Sequence, residues 1–399
     1  MMHYLKTYCF ILLFTSILLT GCHTQKSNEF VLEVYLEEAP KEVTYLVLRY
    51  HDYNGDYVRD TLPLQDSRIT FTGKINGAVF VSLLSNLGSA WVEDPNHLSF
   101  FIDPGKTSVR LQSNNFKNAK IKASATQNQF LELNKLLEGI TQEQKVLVNE
   151  RNKLIQQKYT SNNPKEIDER LEKLHIKHNE MRAKKTDIEI QFIRDNPDSY
   201  VSVYELYGRS NYNSIPMDLI EELYQSLSNK VKKSTYSKRI LQNIENYKQS
   251  RIGSQATNFT AQDPSGKSIS LADFKGKYVL LDFWAGWCKP CKEDQPLIKK
   301  MYNEYHKEGL EIIGVSYDRS REAWLQAIKK EELGSWHHVL DDFKNMNVNT
   351  IGQTFKVKPI PAYILIDPRG IIAGRYAAAD GNRQNTLEDL EQDLKDIFE

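Results

Sequence analysis

Two cysteines stand two residues apart in Trp287-Cys288-Lys289-Pro290-Cys291, at the junction of an apolar run and a polar, helix-favouring stretch. A thiol at the start of a helix gains from unpaired backbone amides and from the positive end of the helix dipole, and both favour the thiolate. Lys289 adds a cation beside it. Cys288 is therefore expected to be the nucleophile. Two intervening residues let the chain complete most of one helical turn, which brings Cys291 close enough to attack a mixed disulfide, so Cys291 is expected to be the resolving thiol. Pro290 stiffens the turn without removing a needed helical donor.

The cysteine inventory isolates this pair. The chain holds four cysteines: Cys9, Cys22, Cys288 and Cys291. Lys6 followed by the apolar run Tyr8 to Leu19 reads as an export signal over 1–21, too short for a comfortable membrane span. It ends in Leu19-Thr20-Gly21-Cys22, which resembles a bacterial lipobox. That resemblance implies cleavage before Cys22 and a lipid on its thiol; the plainer alternative is an incidental cysteine after an ordinary signal. Cys9 then leaves with the signal, Cys22 is capped, and no cysteines remain for a structural disulfide framework. The expected location is the cell envelope, lipid-anchored and facing the periplasm.

The elements that must position the pair begin near residue 251. Tyr278 to Trp284 is an apolar strand running into the motif, and a helical stretch to Lys307 follows, with Glu308-Gly309 as its glycine stop. Leu310 to Tyr317 is the next strand, Arg321 to Glu331 the next helix, and Ala362 to Ile366 another strand. Asp367-Pro368-Arg369-Gly370 turns into Ile371 to Tyr376, and Thr386 to Phe398 closes as an amphipathic helix. Ser270-Leu271-Ala272-Asp273 can close a short turn by reciprocal capping.

This order, with Asp282-Phe283-Trp284-Ala285-Gly286-Trp287-Cys288-Lys289-Pro290-Cys291-Lys292 and Ile360-Pro361, resembles the thioredoxin-like family, specifically its exported, membrane-attached thiol-disulfide oxidoreductases of the TlpA and ResA kind. The resemblance implies an α/β thioredoxin fold over 251–399. It places Asp282 as the buried acid that relays a proton to the resolving cysteine, against the alternative that Asp282 merely caps or pairs locally. It places Pro296 at a kink of the active-site helix. It also makes Pro361 a cis-proline that faces the disulfide and, with Ile360 and the rim residue Trp287, offers the substrate a binding edge. Pro359 and Ala362 depart from the family pattern, and Gly314 falls near the place of the lysine that thioredoxin carries beside its buried acid.

The rest of the chain carries no catalytic constellation. After a tether over 22–28, residues 29–120 read as a small antiparallel β module of sandwich type: Phe30, Leu32, Val34 and Leu36 alternate, and Thr44 to Tyr50, Ile69 to Lys74, Val79 to Leu84, Leu98 to Ile102 and Val109 to Leu111 are strand-like. Asn54-Gly55 and Asp103-Pro104-Gly105 supply turns. The module resembles β-rich N-terminal modules of unknown function ahead of thioredoxin domains in bacterial lipoproteins. Residues 121–250 turn helical and charged. Phe130, Leu133, Leu137, Ile140, Leu147 and Leu154 fall on a three-four spacing, repeated by Leu171, Leu174, Met181, Ile188 and Phe192. A break at Ser161 to Pro164 predicts an antiparallel helical hairpin with arms of about 45 Å. Asn196-Pro197 predicts the opening of a further helix.

Composition excludes some partners. With 52 Lys plus Arg against 52 Asp plus Glu, no net field draws the 399-residue chain to nucleic acid. A zinc site needs ligands beyond one CxxC; His337-His338 and His175 with His178 are the only clustered histidines, and surface or core placement accounts for them. No cofactor is implied. A peroxidase reading lacks its lone cysteine. The sequence thus predicts a thiol-disulfide oxidoreductase that acts on, and reduces, protein disulfides and draws electrons from a membrane donor. The alternative is a redox-gated binding or sensing lipoprotein.

Overall fold

The structure, a computed structural model, describes residues 28–89, 93–122, 124–159, 163–212, 214–341, 350–377 and 385–399. The signal and Cys22 lie outside the described residues. No helix among the described residues is long and apolar enough to cross a membrane.

The N-terminal region is β throughout: β1 (Glu29–Glu37), β2 (Tyr45–His51), β3 (Tyr57–Pro63), β4 (Arg68–Lys74), β5 (Val79–Ser85), β6 (His97–Ile102), β7 (Gly105–Gln112) and β8 (Lys120–Ile121). They form two four-stranded sheets, ordered β4-β1-β7-β8 and β3-β2-β5-β6. The alternating residues Phe30, Leu32, Val34 and Leu36 of β1 meet Leu46, Leu48, Val81 and Leu83 of the other sheet in one core. One pairing is not antiparallel: β1 and β7 run parallel. These two strands are joined through the whole second sheet, and a long connection permits the parallel sense that a tight turn forbids. Strand β3 has no apolar alternation to betray it, because it is an edge strand none of whose residues is fully buried, and its Pro63 is tolerated there. Its hairpin with β2 is tied by Asp52 Oδ1, which accepts from the amides of Asn54, Gly55 and Asp56 at 2.9, 3.0 and 2.9 Å.

The helical region comprises α1 (Ala125–Lys158), α2 (Pro164–Asp195), α3 (Tyr200–Tyr212), α4 (Met217–Ser226) and α5 (Thr235–Gln249). Helices α1 and α2 fold back on each other, with Leu133, Leu137, Leu147 and Leu154 buried along the seam. At the root of this hairpin Phe130 packs edge-on against Phe80 and Phe101, fastening it to the β region. The start expected at Asn196-Pro197 is displaced. Asn196 instead closes α2, its amide and its side chain both donating to Phe192 O, and α3 begins at Tyr200 behind Ser199. The opening turn of α3 instead uses the Ser199 hydroxyl, which accepts from the Val201 amide at 3.1 Å.

The C-terminal region begins with a small hairpin of β9 (Thr260–Gln262) and β10 (Ser268–Ser270), and the capping box of Ser270 and Asp273 follows. Then come β11 (Tyr278–Trp284), α6 (Lys289–Tyr305), β12 (Leu310–Ser316), α7 (Arg321–Lys330), β13 (His337–Leu340), α8 (Ile351–Thr354), β14 (Ala362–Ile366), β15 (Ile372–Ala377) and α9 (Leu387–Phe398). The five strands lie in the order β13-β12-β11-β14-β15, with β11, β12 and β13 parallel and β14 and β15 antiparallel. Helices cover both faces, so β11 is buried on each side and reads as a continuous apolar run. Leu280 and Trp284 face Ile298 and Met301 of α6, while Val279, Leu281 and Phe283 face Phe355 and Val357. This is a thioredoxin-like fold. The short elements β13 and α8 were not anticipated, since four residues are too few to display a period.

Candidate active site

The apolar strand β11 ends at Trp284, and Ala285, Gly286 and Trp287 turn the chain into α6. Cys288 is the N-cap of α6, and its Sγ accepts from the Cys291 amide at 3.2 Å. The two cysteines are joined by a disulfide with their Cα atoms 5.3 Å apart. They are 4% and 1% exposed, whereas Trp287 beside them is 63% exposed. The pair is thus set into the protein with an aromatic ring standing at its rim. Lys289 is not packed against the sulfurs: it projects into solvent and lies 3.6 Å from Glu293 one turn along the helix. The helix terminus is therefore the main local influence favouring a Cys288 thiolate.

The carboxylate of Asp318 holds the turn in place. The Gly286 amide donates to both carboxylate oxygens of Asp318, at 3.2 and 3.0 Å, and Ser316 Oγ donates to the same carboxylate at 2.9 Å. A side-chain carbon on Gly286 would stand 2.6 Å from Cβ of Ala327, so α7 can press against the turn only because this residue is glycine. Asp318 was not singled out in the sequence. The one hint available was a glycine before the CxxC, which says that something approaches but not what.

Asp282 sits two residues before Trp284 and so on the same face of β11, the face covered by α6. It is 1% exposed, and neither carboxylate oxygen has a hydrogen bond of ordinary geometry. Burial pushes its pKa up to about 7, the nearby Gln295 amide opposes the rise, and the negative Asp294 adds to it. Asp294 is raised as well, by its own burial, although the Tyr363 hydroxyl donates to it at 2.8 Å and holds it down. Tyr363 lies opposite Asp282 across β11 and β14. Neither Gln295 nor Asp294 stands out in the sequence, because both sit among polar residues on an amphipathic helix and only the packing against the sheet distinguishes them.

Ile360-Pro361 is a cis peptide bond. Ala362 pairs with Phe283, so Pro361 arrives at the same end of the sheet as Trp284 and the cysteine turn, and Ile360 packs against the core that contains Cys288 and Cys291. Pro296 lies inside α6. Gly314 pairs with Asp282 across β11 and β12. The structure therefore brings Cys288, Cys291, Asp282, Trp287, Ile360 and Pro361 to one end of one sheet.

Residues 252–375 match the AhpC/TSA family, and residues 30–130 match a domain of unknown function, DUF4369. The chain is 36% identical over 146 residues to the thiol-disulfide oxidoreductase ResA of Bacillus thuringiensis subsp. konkukian, a match spanning 37% of this chain and 78% of that protein. To ResA of Bacillus subtilis it is 36% identical over 118 residues, 30% of this chain and 63% of that one. Among solved structures, the thioredoxin domain of a thiol-disulfide oxidoreductase from Bacteroides vulgatus is 33% identical, covering 37% of this chain and 99% of that chain with a TM-score of 0.33. A thiol:disulfide interchange protein from Bacteroides sp. is 34% identical, covering 37% and 90% with a TM-score of 0.32. Through its C-terminal domain the chain belongs to the ResA-like thiol-disulfide oxidoreductases.

Proposed function

We propose that the chain reduces protein disulfides in the cell envelope, held to a membrane by a lipid on Cys22 and recharged by a membrane electron donor. The observation that carries this reading is the Cys288–Cys291 pair at the N-terminus of α6 with a buried acid on the sheet beneath. In the reduced enzyme the Cys288 thiolate attacks a substrate disulfide, and one substrate sulfur leaves as a thiolate. The mixed disulfide lies along Pro361 and Ile360, with Trp287 at its edge. Cys291 then gives its proton to Asp282 and attacks Cys288. The second substrate sulfur leaves with the bonding pair, so the substrate gains two electrons and the enzyme pair is oxidised.

Cys291→Ser is expected to trap substrate on Cys288, because the attacking thiol remains and the resolving thiol is gone. Non-reducing electrophoresis of the variant from cells should show mixed disulfides that vanish with dithiol. If the trapped species do not exceed those of a double-serine control, the exchange mechanism is wrong.

One observation favours a second reading, a redox-gated platform. The helical region docks on the segment that leads to Pro361: Lys356 Nζ donates to Ser210 O at 2.9 Å and Asn246 to Gln353 O at 3.2 Å, while Arg375 of β15 bridges the two, donating to Ser250 O at 2.7 Å and to Phe355 O at 2.9 Å. A ligand held by α3 or α5 would thus reach the substrate-facing loop. Turnover separates the readings. Catalysed reduction of insulin by dithiol is the expected result, and a stoichiometric pair whose oxidation only alters partner affinity would favour the platform instead.

A further inference from the structure

The segment over 350–361 leads into the substrate-facing edge, and one residue in it breaks a local rule. Helix α8 ends in a Schellman turn: the Val357 amide donates to Gly352 O at 2.8 Å and the Lys356 amide to Gln353 O at 3.2 Å. The left-handed position of such a turn usually holds glycine, because a side-chain carbon is strained there. Here it holds Lys356, with a φ of 54°. A side chain kept at a strained position points to a use for it.

That side chain reaches another part of the chain. Lys356 is 5% exposed, and its ammonium crosses to the helical region, where it donates to Ser210 O in the last turn of α3 at 2.9 Å and to Asn243 Oδ1 of α5 at 3.4 Å. The C-terminal end of a helix is the negative end of its dipole, so a cation is well placed against it. Two further ties join the same segment to α5: Asn246 donates to Gln353 O at 3.2 Å, and Arg375 joins Ser250 O, just past α5, to Phe355 O. From the thioredoxin-like side, Asp341 accepts from the amides of Ile351 and Gly352 at 2.8 and 2.9 Å, and Tyr317 Oη donates to Val357 O at 2.8 Å. The segment is clamped between the two, and Ile360 and Pro361 follow directly from it. Burying an ammonium is costly even when its donors are met, and apolar side chains would serve adhesion alone. A charge-assisted hydrogen bond adds what they lack, a fixed distance and direction.

We propose that Lys356 is a positioning residue for disulfide exchange: by tying the 350–361 segment to α3 and α5 it sets the place of Ile360 and Pro361, so the helical region determines how well a protein substrate lies beside Cys288. This rests on the reading of Ile360 and Pro361 as the substrate edge and gives the helical region a part in it. A protein disulfide, which must lie along the edge, feels the loss of the tie. A small alkylating reagent that meets only the Cys288 thiolate does not.

The test compares KM and kcat for insulin reduction by the full chain with the rate at which iodoacetamide alkylates reduced Cys288. Lys356→Gly adopts the left-handed position without strain, so it keeps the turn while removing the side chain that reaches Ser210 and Asn243. Lys356→Met keeps the bulk and removes the charge. Both are expected to lower kcat/KM by about tenfold, carried by KM, against the loss of about a hundredfold that a ~1 Å misplacement can cause. Alkylation of Cys288 should keep its wild-type rate. Were Lys356 needed only for the local turn, Lys356→Gly would match the wild type, since glycine is favoured there. A folded Lys356→Gly protein, checked by circular dichroism, whose KM stays at the wild-type value therefore overturns the proposal, whatever becomes of Lys356→Met. So does a loss carried by kcat with KM unmoved, or alkylation slowed in step with turnover. Ile360→Ala separates this failure from that of the parent reading. If Ile360→Ala raises KM and Lys356→Gly does not, only the positioning role is wrong; if neither moves KM, the substrate edge falls with it.

Discussion

Cys288→Ser is expected to lower disulfide-exchange turnover by a factor on the order of 10⁴ or more, the scale on which removal of a nucleophile collapses catalysis. A serine hydroxyl at the helix N-cap accepts the same amide hydrogen bond that the Cys288 sulfur now takes from Cys291, so the turn should keep its shape. What is lost is the thiolate. Cys291 cannot stand in for it, because it is 1% exposed and lies behind Cys288 in the first turn of α6. The fold should survive the change, since a disulfide closing so short a loop contributes only about 2 kcal/mol through chain entropy. Insulin reduction measured beside far-ultraviolet circular dichroism checks both halves. Residual turnover within tenfold of wild type would show that Cys288 is not the attacking thiol.

Asp282→Asn should have two opposite effects. The rate of the Cys291 step is expected to fall by about 10²-fold, at the low end of what a positioned acid or base contributes. Stability should change in the other direction above neutrality. Asp282 has its pKa raised from 3.8 to about 7 by burial. Below about pH 4 the side chain is protonated in both folded and unfolded states, and its contribution to stability is fully present. As pH rises toward 7 the unfolded chain loses this proton while the folded chain keeps it, so stability declines through that window. At about 1.4 kcal/mol per unit, a rise of about three units makes the decline a few kcal/mol in size. Urea titrations of the oxidised protein at pH 5 and pH 8 should show the wild type losing a few kcal/mol more stability between them than the asparagine variant, whose remaining slope belongs to other buried groups such as Glu205, likewise raised to about 7 by burial. Equal slopes for the two proteins would mean that Asp282 is not the buried acid described above. A site that weakens the fold in order to keep a reactive carboxylate is the expected pattern of a functional residue.

The helical hairpin shows how far local pattern alone could reach. Its three-four spacing predicted both arms, and Leu133, Leu137, Leu147 and Leu154 are the residues that pack the seam, because an amphipathic stripe is a property of neighbouring residues. The error at Asn196-Pro197 has the same origin turned round: an asparagine can cap the helix behind it as well as the one ahead, and only the structure shows which carbonyl it reaches. Strands β3 and β13 escaped because one is a polar edge and the other is four residues long.

The cysteine pair was legible for a simple reason. Its chemistry depends on two thiols one turn apart at the start of a helix, and spacing, strand and helix are all written in consecutive residues. The sequence by itself thus determined the spacing of the two cysteines that the structure joins in a disulfide and the order of elements around them, and the family resemblance added Asp282 and Pro361 as places to look for a relay and a substrate edge. Only the tertiary structure decided what surrounds Asp282. Gly314, His338 and Tyr363 come from three further strands that register brings to one buried row, and Asp294 and Gln295 come from the helix packed over it. No periodicity within a segment encodes the register between segments, which is set when the two apolar faces of the sheet find their helices.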